Sequence, residues 1–302
     1  MGLGNSNSVE QLRRHTVLIL SVMLSFQPTA HAEPTVVINE IMYHVRATEH
    51  KEDLGAEYIE LHNVTDSAID LTGWQFDSGL RFSFSDQTIK SGGFLVVAAD
   101  LQAFKEDYPD VERVVGPFRG RLSNSGETLT LIDSDKHTVD SVSYADSGFW
   151  ARKVSGKLKG YDDWTWHAPH DGEGHSLELI KPSFQNDHGL AWSPSKETGG
   201  TPGQPNSVRS ELLAPLVTSV RHEPAIPKSL DKVRVIARVQ DDSGTGLKAS
   251  VRYRHDGQVS FKSAPMTLAS NGDWVGTLPA SNNLTVVQFF VRFEDGEGAV
   301  RQ

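Results

Sequence analysis

Val36-Val37-Ile38-Asn39-Glu40-Ile41, followed by Glu57-Tyr58-Ile59-Glu60-Leu61-His62-Asn63 and then by Asp70-Leu71-Thr72-Gly73-Trp74, reads as short strands separated by turns. Val37, Asn39 and Ile41 alternate with Ile38 and Glu40, while Ile59 and Leu61 share a face opposite Tyr58, Glu60 and His62. Such a period of two is the signature of a half-buried strand. The rhythm continues outward. Ile69 and Leu71 follow the turn Thr65-Asp66-Ser67, and Phe82 and Phe84 alternate with serines. Leu129 and Leu131 face one way, and Val139, Val142 and Tyr144 continue beyond the turn at Asp133 to Asp135. Phe94 to Ala99 is apolar on both faces and predicts a central strand. Helical periodicity is confined to Leu101 to Tyr108, which Pro109 stops.

The second half repeats the pattern. Val233, Val235, Ala237 and Val239 alternate with Lys232, Arg234, Ile236 and Arg238, and Val251 and Tyr253 follow the turn at Ser243 to Gly246. Asn271-Gly272-Asp273-Trp274 is a hairpin turn, and Phe289, Val291 and Phe293 oppose Gln288, Phe290 and Arg292. About seven strands in roughly 90 residues fit an immunoglobulin or fibronectin type III sandwich. The fold class is therefore all-β, as two tandem β-sandwiches, over residues 33–207 and 214–302 with a linker at 208–213. After Glu294-Asp295-Gly296-Glu297-Gly298 only Ala299 to Gln302 remain for a last edge strand. The expectation is a clipped edge or the front part of a longer architecture, and an unpaired edge invites pairing with another chain.

The first 32 residues read as an export signal. Arg13, Arg14 and His15 precede the apolar run Thr16 to Phe26, and Ala30-His31-Ala32 offers a small-x-small cleavage site. The run is shorter than the ~20 apolar residues a spanning helix needs, so no transmembrane segment is expected in the mature chain. A secreted or cell-surface protein starting at Glu33 follows. The formal charge of −10 becomes −11 once Glu10, Arg13 and Arg14 leave with the signal. Such acidity disfavours nucleic acid as a partner. The chain has no cysteine, which excludes disulfides and thiol chemistry, so its stability must come from core and ladders.

Four pieces in order resemble the lamin-tail domain. They are Ile38-Asn39-Glu40-Ile41; Gly55 to Asn63 with Asp70-Leu71-Thr72-Gly73-Trp74; Leu122 to Leu131 with Val139-Asp140-Ser141-Val142; and Gly174-His175-Ser176-Leu177-Glu178-Leu179 with Trp192 and Thr201-Pro202-Gly203. The likeness covers about Val36 to Asn206, and the stretch between Trp150 and Gly174 looks like an insertion. The resemblance implies an immunoglobulin-like sandwich of the bacterial secreted type, found near the front of large exported proteins and commonly followed by immunoglobulin-like modules. Adhesion, tethering or presentation is the implied role, with no catalytic residues to carry over.

Several clusters bear chemistry. His167-Ala168-Pro169-His170-Asp171-Gly172-Glu173-Gly174-His175 gathers imidazoles and carboxylates of the kinds that bind zinc. Its spacing fits no standard zinc pattern, and Pro169, Gly172 and Gly174 mark a loop. It reads as structural, with His167, His170, Asp171 and His175 as candidate metal or pH-responsive groups. Glu40, Glu57 and Glu60 are carboxylates that acid–base catalysis would need in pairs, but their strand positions point to hydrogen bonds with turns. Asp241, Asp242 and Asp295 sit in acidic turns that supply the oxygens calcium takes, though Asp and Gly are also ordinary turn formers. Calcium is the one cofactor considered. Trp150, Tyr161, Trp164 and Trp166 form either a satellite core or a platform for sugar, and the core is the expectation. Asn63-Val64-Thr65 and Asn283-Leu284-Thr285 match the glycosylation pattern, without an expected use.

The function expected is that of a non-catalytic exported binding, adhesion or scaffold protein, whose partner is a protein or a cell-surface polysaccharide. Two further readings stand beside it. One is the N-terminal non-catalytic part of an extracellular enzyme, a spore-coat-like kinase or a hydrolase. The other is a carbohydrate-binding module.

Overall fold

Strand β1 (Val36–Met42) is buried along its whole length, which strict alternation does not predict. Its pairing with β2 (Tyr58–Asn63) shifts register between Ile38 and Glu40, so a bulge at Asn39 resets which residues face the core. The computed structural model describes residues 35–46, 54–158, 161–242 and 246–302. The expected export signal and turn residues 243–245 lie outside that description.

The remaining strands of the first sandwich follow in order. They are β3 (Ile69–Asp70), β4 (Gln75–Ser78), β5 (Phe82–Ser83), β6 (Thr88–Ile89), β7 (Phe94–Ala98) and β8 (Val114–Val115). Then come β9 (Glu127–Ile132), β10 (Thr138–Tyr144), β11 (Arg152–Leu158), β12 (Tyr161–His167), β13 (Leu177–Leu179) and β14 (Trp192–Pro194). A six-stranded sheet, β14-β13-β1-β2-β7-β8, faces a four-stranded sheet, β10-β9-β4-β5. Between them lie Ile38, Ile41, Ile59, Leu61, Leu129, Leu131 and other buried apolar residues. Each such side chain stabilises the fold by roughly 1.5–3 kcal/mol when fully buried.

The strand β7, apolar on both faces, lies inside the sheet between β2 and β8. Its outer neighbour β8 has two residues, and helix α1 (Leu101–Asp107) covers its other face. Val96 and Ala98 pack there with Phe104, Met42 and Tyr58. Asp100 caps α1, accepting from the backbone N–H of Gln102 at 2.8 Å and of Ala103 at 3.2 Å. Strands β11 and β12 form a ribbon of their own, which accounts for the insertion expected after Trp150.

The second sandwich comprises β15 (Leu216–Glu223), β16 (Val233–Gln240), β17 (Lys248–His255), β18 (Lys262–Leu268), β19 (Trp274–Leu278), β20 (Val287–Glu294) and β21 (Val300–Arg301). Their order is β15-β16-β19-β18-β17-β20-β21. The layers β15-β16-β19 and β17-β20-β21 share β18, whose first half pairs with β17 and whose second half pairs with β19. Val235, Ala237, Val251, Leu278, Val291 and Phe293 fill the space between them.

The segment expected as a linker is docked. Ser210 N–H donates to Ile180 O at 3.0 Å. Leu213 and Leu216 are buried in the first core, whereas Val217 belongs to the second. The Lys181 ammonium pairs with Asp242 and donates to Glu211 O at 2.8 Å.

Candidate functional site

The carboxylates of the opening strands are structural in their contacts. Register sets Glu40 opposite both Glu60 and Glu178, on three adjacent strands. All three are fully buried. Glu40 Oε1 accepts from the Tyr58 hydroxyl (2.7 Å), the Ser176 hydroxyl (2.6 Å) and the Thr201 N–H (2.9 Å). Glu60 takes the Asn39 amide at 2.8 Å and the N–H of Gly203. Glu178 takes the hydroxyls of Thr201 and Ser207 and the N–H of Val208. The segment Gly199 to Val208 is thus a lid held over the sheet by acids. Burial, with Glu178 nearby, raises the Glu40 carboxyl to about 7, and burial with Glu40 nearby pushes Glu60 well up. Glu57 lies apart and binds the Leu122 N–H at 2.8 Å.

The histidine cluster does not converge. His170 is buried, donates from Nε2 to Trp150 O at 3.0 Å and accepts the Tyr43 hydroxyl on Nδ1 at 2.8 Å. Burial lowers its pKa. His175 Nδ1 donates to Ser195 O at 2.9 Å. Asp171 meets His44 at 2.6 Å, and His167 lies on the surface 3.6 Å from Glu173. The acidic turns adjoin at Gly246 and Gly296, but their carboxylates are engaged separately. Asp242 is taken by Lys181, while Asp295 Oδ1 accepts the N–H groups of Glu297 (2.9 Å) and Ala299 (2.8 Å) as an ordinary turn former. Asp241 precedes Asp242 in the chain. Among the described residues no group of three or more His, Asp or Glu is placed to hold a metal ion. Asn63, the first glycosylation candidate, is buried and donates to Ser67 O and Ile89 O.

The aromatic set divides in two. Trp150 is buried and packs on Trp192, with ring centres 5.8 Å apart. Trp166 is 51% exposed and Phe149 50%. The side chains of Tyr161 and Trp164 lie outside the described set. Trp150, Trp166 and Phe149 border a groove of about 930 Å³ where the two sandwiches meet. The base of the β11–β12 ribbon, β14, β15, β20 and β21 all contribute to it. Its wall is apolar, with Val217 and Val220 on one side and Phe289, Phe290 and Val291 on the other. Its charged side chains are Arg152, Lys153 and Arg301, and Gln302 lines it as well. The Arg301 guanidinium is held by the carbonyls of Pro215 (3.3 Å), Ala214 (3.4 Å) and Leu190 (3.5 Å). These residues come from distant stretches of chain, so no local motif announces the groove. Apolar surface of this kind with few polar groups is what a binding site uses.

No curated protein and no solved structure matches the chain. Among the described residues no helix is long and apolar enough to cross a membrane. A lamin-tail sandwich of immunoglobulin type fits a non-catalytic binding or scaffold role. Residues 29–146 match the family model described as Lamin Tail Domain, so the first sandwich, as far as β10, is similar to that domain.

Proposed function

We propose that this protein is exported and works as a non-catalytic binding or scaffold module, taking its partner in the groove between the sandwiches. The observation that carries this is the groove itself: an apolar channel whose charged side chains are all basic, on a chain of net charge −10. Polar clusters elsewhere are spent on holding loops, as the Glu40, Glu60 and Glu178 layer is. A protein partner is favoured over a polysaccharide, because Trp166 and Phe149 border a groove rather than stand as a flat platform for sugar. Export follows from the basic and apolar pattern of residues 13–26 with Ala30-His31-Ala32.

One experiment addresses the whole proposal. Secreted material is recovered, its N-terminus sequenced, and the parent and Trp166→Ala proteins are applied to peptide and glycan arrays. The expected outcome is a start at Glu33 and peptide signal that falls about tenfold in the variant, the loss of one aromatic contact near 1.4 kcal/mol. Retention in the cytoplasm, or turnover of a substrate by purified protein, would overturn it. Glycan signal dependent on Trp166 would move the assignment to a carbohydrate-binding module.

A further inference from the structure

We infer that Arg81 and Arg119, with Arg121 beside them, clamp the sulfate or phosphate groups of an anionic polysaccharide. The clamp belongs to the first sandwich, none of its residues lines the groove, and it holds or fails independently of the groove.

Strand β5 is the edge of the four-stranded sheet, and the chain returning from β8 runs beside it. Arg81, just ahead of β5, and Arg119 exchange both backbone hydrogen bonds, each at 2.9 Å. Residues paired in this way stand opposite each other with α-carbons about 5.5 Å apart, and their side chains leave from one face. Like charges in that position repel. Both arginines are exposed, as is Arg121, two residues beyond Arg119. Among the described residues none of the three guanidinium groups has an ion pair or a hydrogen bond. The neighbouring acids leave them unanswered. Asp77 of β4, exposed at the other end of the turn to Arg81, forms no ion pair. Glu127 lies near Gly79, and its Oε1 accepts the Ser123 N–H (2.7 Å) and the Tyr144 hydroxyl (3.1 Å). Glu57 is spent on the Leu122 N–H. A chain of net charge −10 has acids in excess, yet it sets none against this facing pair.

The backbone is fixed on both sides of Arg119 and Arg121. Phe118 N–H donates to Ala98 O at 3.1 Å and Leu122 N–H to Glu57 Oε2 at 2.8 Å, and both side chains are buried. Binding therefore orders side chains alone, not a loop. A guanidinium is a planar fork of donors that matches oxyanions. A carboxylate has two oxygens, which one fork occupies. A sulfate or phosphate ester presents up to three terminal oxygens, enough for forks arriving from both strands. The carrier follows from what the surroundings lack. Nucleic-acid surfaces add a long basic stripe or stacking aromatics. A lipid surface calls for exposed apolar side chains. Among the described residues, none of the exposed large apolar side chains falls within 75–85 or 117–121. A hydrophilic polymer with scattered oxyanions needs only the clamp.

The test titrates the full chain by calorimetry, at fixed ionic strength, with dextran sulfate, dextran phosphate, polygalacturonate, plain dextran and duplex DNA. The expected result is that dextran sulfate or dextran phosphate binds about tenfold tighter than the carboxylated polymer, with no heat from plain dextran. The tighter of the first two names the group. Arg81→Gln and Arg119→Gln each weaken that binding about tenfold. Arg119→Lys, which keeps the charge but loses the fork, falls between, and Lys196→Ala, exposed elsewhere, changes nothing. Because the facing charges repel in the free protein, Arg119→Gln also raises the unliganded thermal midpoint, while the bound polymer raises the midpoint of the parent more than that of the variant. A lower unliganded midpoint with unaltered binding makes Arg119 structural and overturns the clamp. Equal affinity for sulfated and carboxylated polymers, or no binding of either, overturns it too. Tighter binding of DNA through the same arginines overturns the polysaccharide as carrier.

Discussion

Gly200 adopts φ +74° over the Glu40 carboxylate, where a β-carbon would fall 1.9 Å from Oε1 and 2.5 Å from both the Ser176 and Tyr58 hydroxyl oxygens. A side chain there must displace the lid, and its backbone is strained besides. Gly200→Ala is expected to destabilise the protein by roughly 2 kcal/mol or more, measured by urea unfolding. The acid beneath it predicts a pH dependence. Glu40 titrates near 7 in the fold, raised by burial above its ordinary 4.5. Its contribution is thus fully present below about pH 4.5 and is lost as pH rises through 7, a swing of about 3 kcal/mol. His62 acts in the opposite sense. Burial lowers it to about 4, so its contribution is present above its ordinary 6.5 and is lost as pH falls through 4. The two slopes oppose each other between pH 4.5 and 6.5. Glu40→Gln removes one of them, and the variant should gain stability relative to the parent as pH rises from 5 to 8. An unchanged pH profile would show that Glu40 does not hold the proton.

At the scale of elements, much was legible because period and punctuation are local. The alternation of Ile59 and Leu61, or of Phe289, Val291 and Phe293, fixes which face meets a core, and the structure places those residues there. Helix α1 was legible from its apolar spacing and Pro109. Its cap is testable: Asp100→Ala should cost about 1 kcal/mol, read as a lower thermal midpoint, with the loss confined to the α1 side of the sheet by hydrogen exchange. Two features were not legible. The bulge at Asn39 depends on a polar network from Glu60 and Asn206, 21 and 167 residues away, that no window of sequence contains. The groove was invisible for the same reason: residues near 150, 190, 218 and 290 meet only after both sandwiches have formed. The histidine cluster read as a structural loop, and His167, His170 and His175, close in sequence, have separate partners.

Across the whole molecule, the two sandwiches are joined by more than a peptide bond. Leu213 and Leu216 enter the first core and the next residue, Val217, enters the second, so one extended stretch serves both. Arg301 and Lys181, far apart in the sequence, both reinforce that joint. A partner held in the groove would touch both sandwiches and so report on their union. The double allegiance of β18 has a mechanical consequence. Because its first half is laced to β17 and its second half to β19, the layers of the second sandwich are a single woven fabric, not two facing plates. Parting those layers therefore requires breaking the ladder that β18 makes with one neighbour or the other, so each layer is held to the other by backbone bonds as well as by packing.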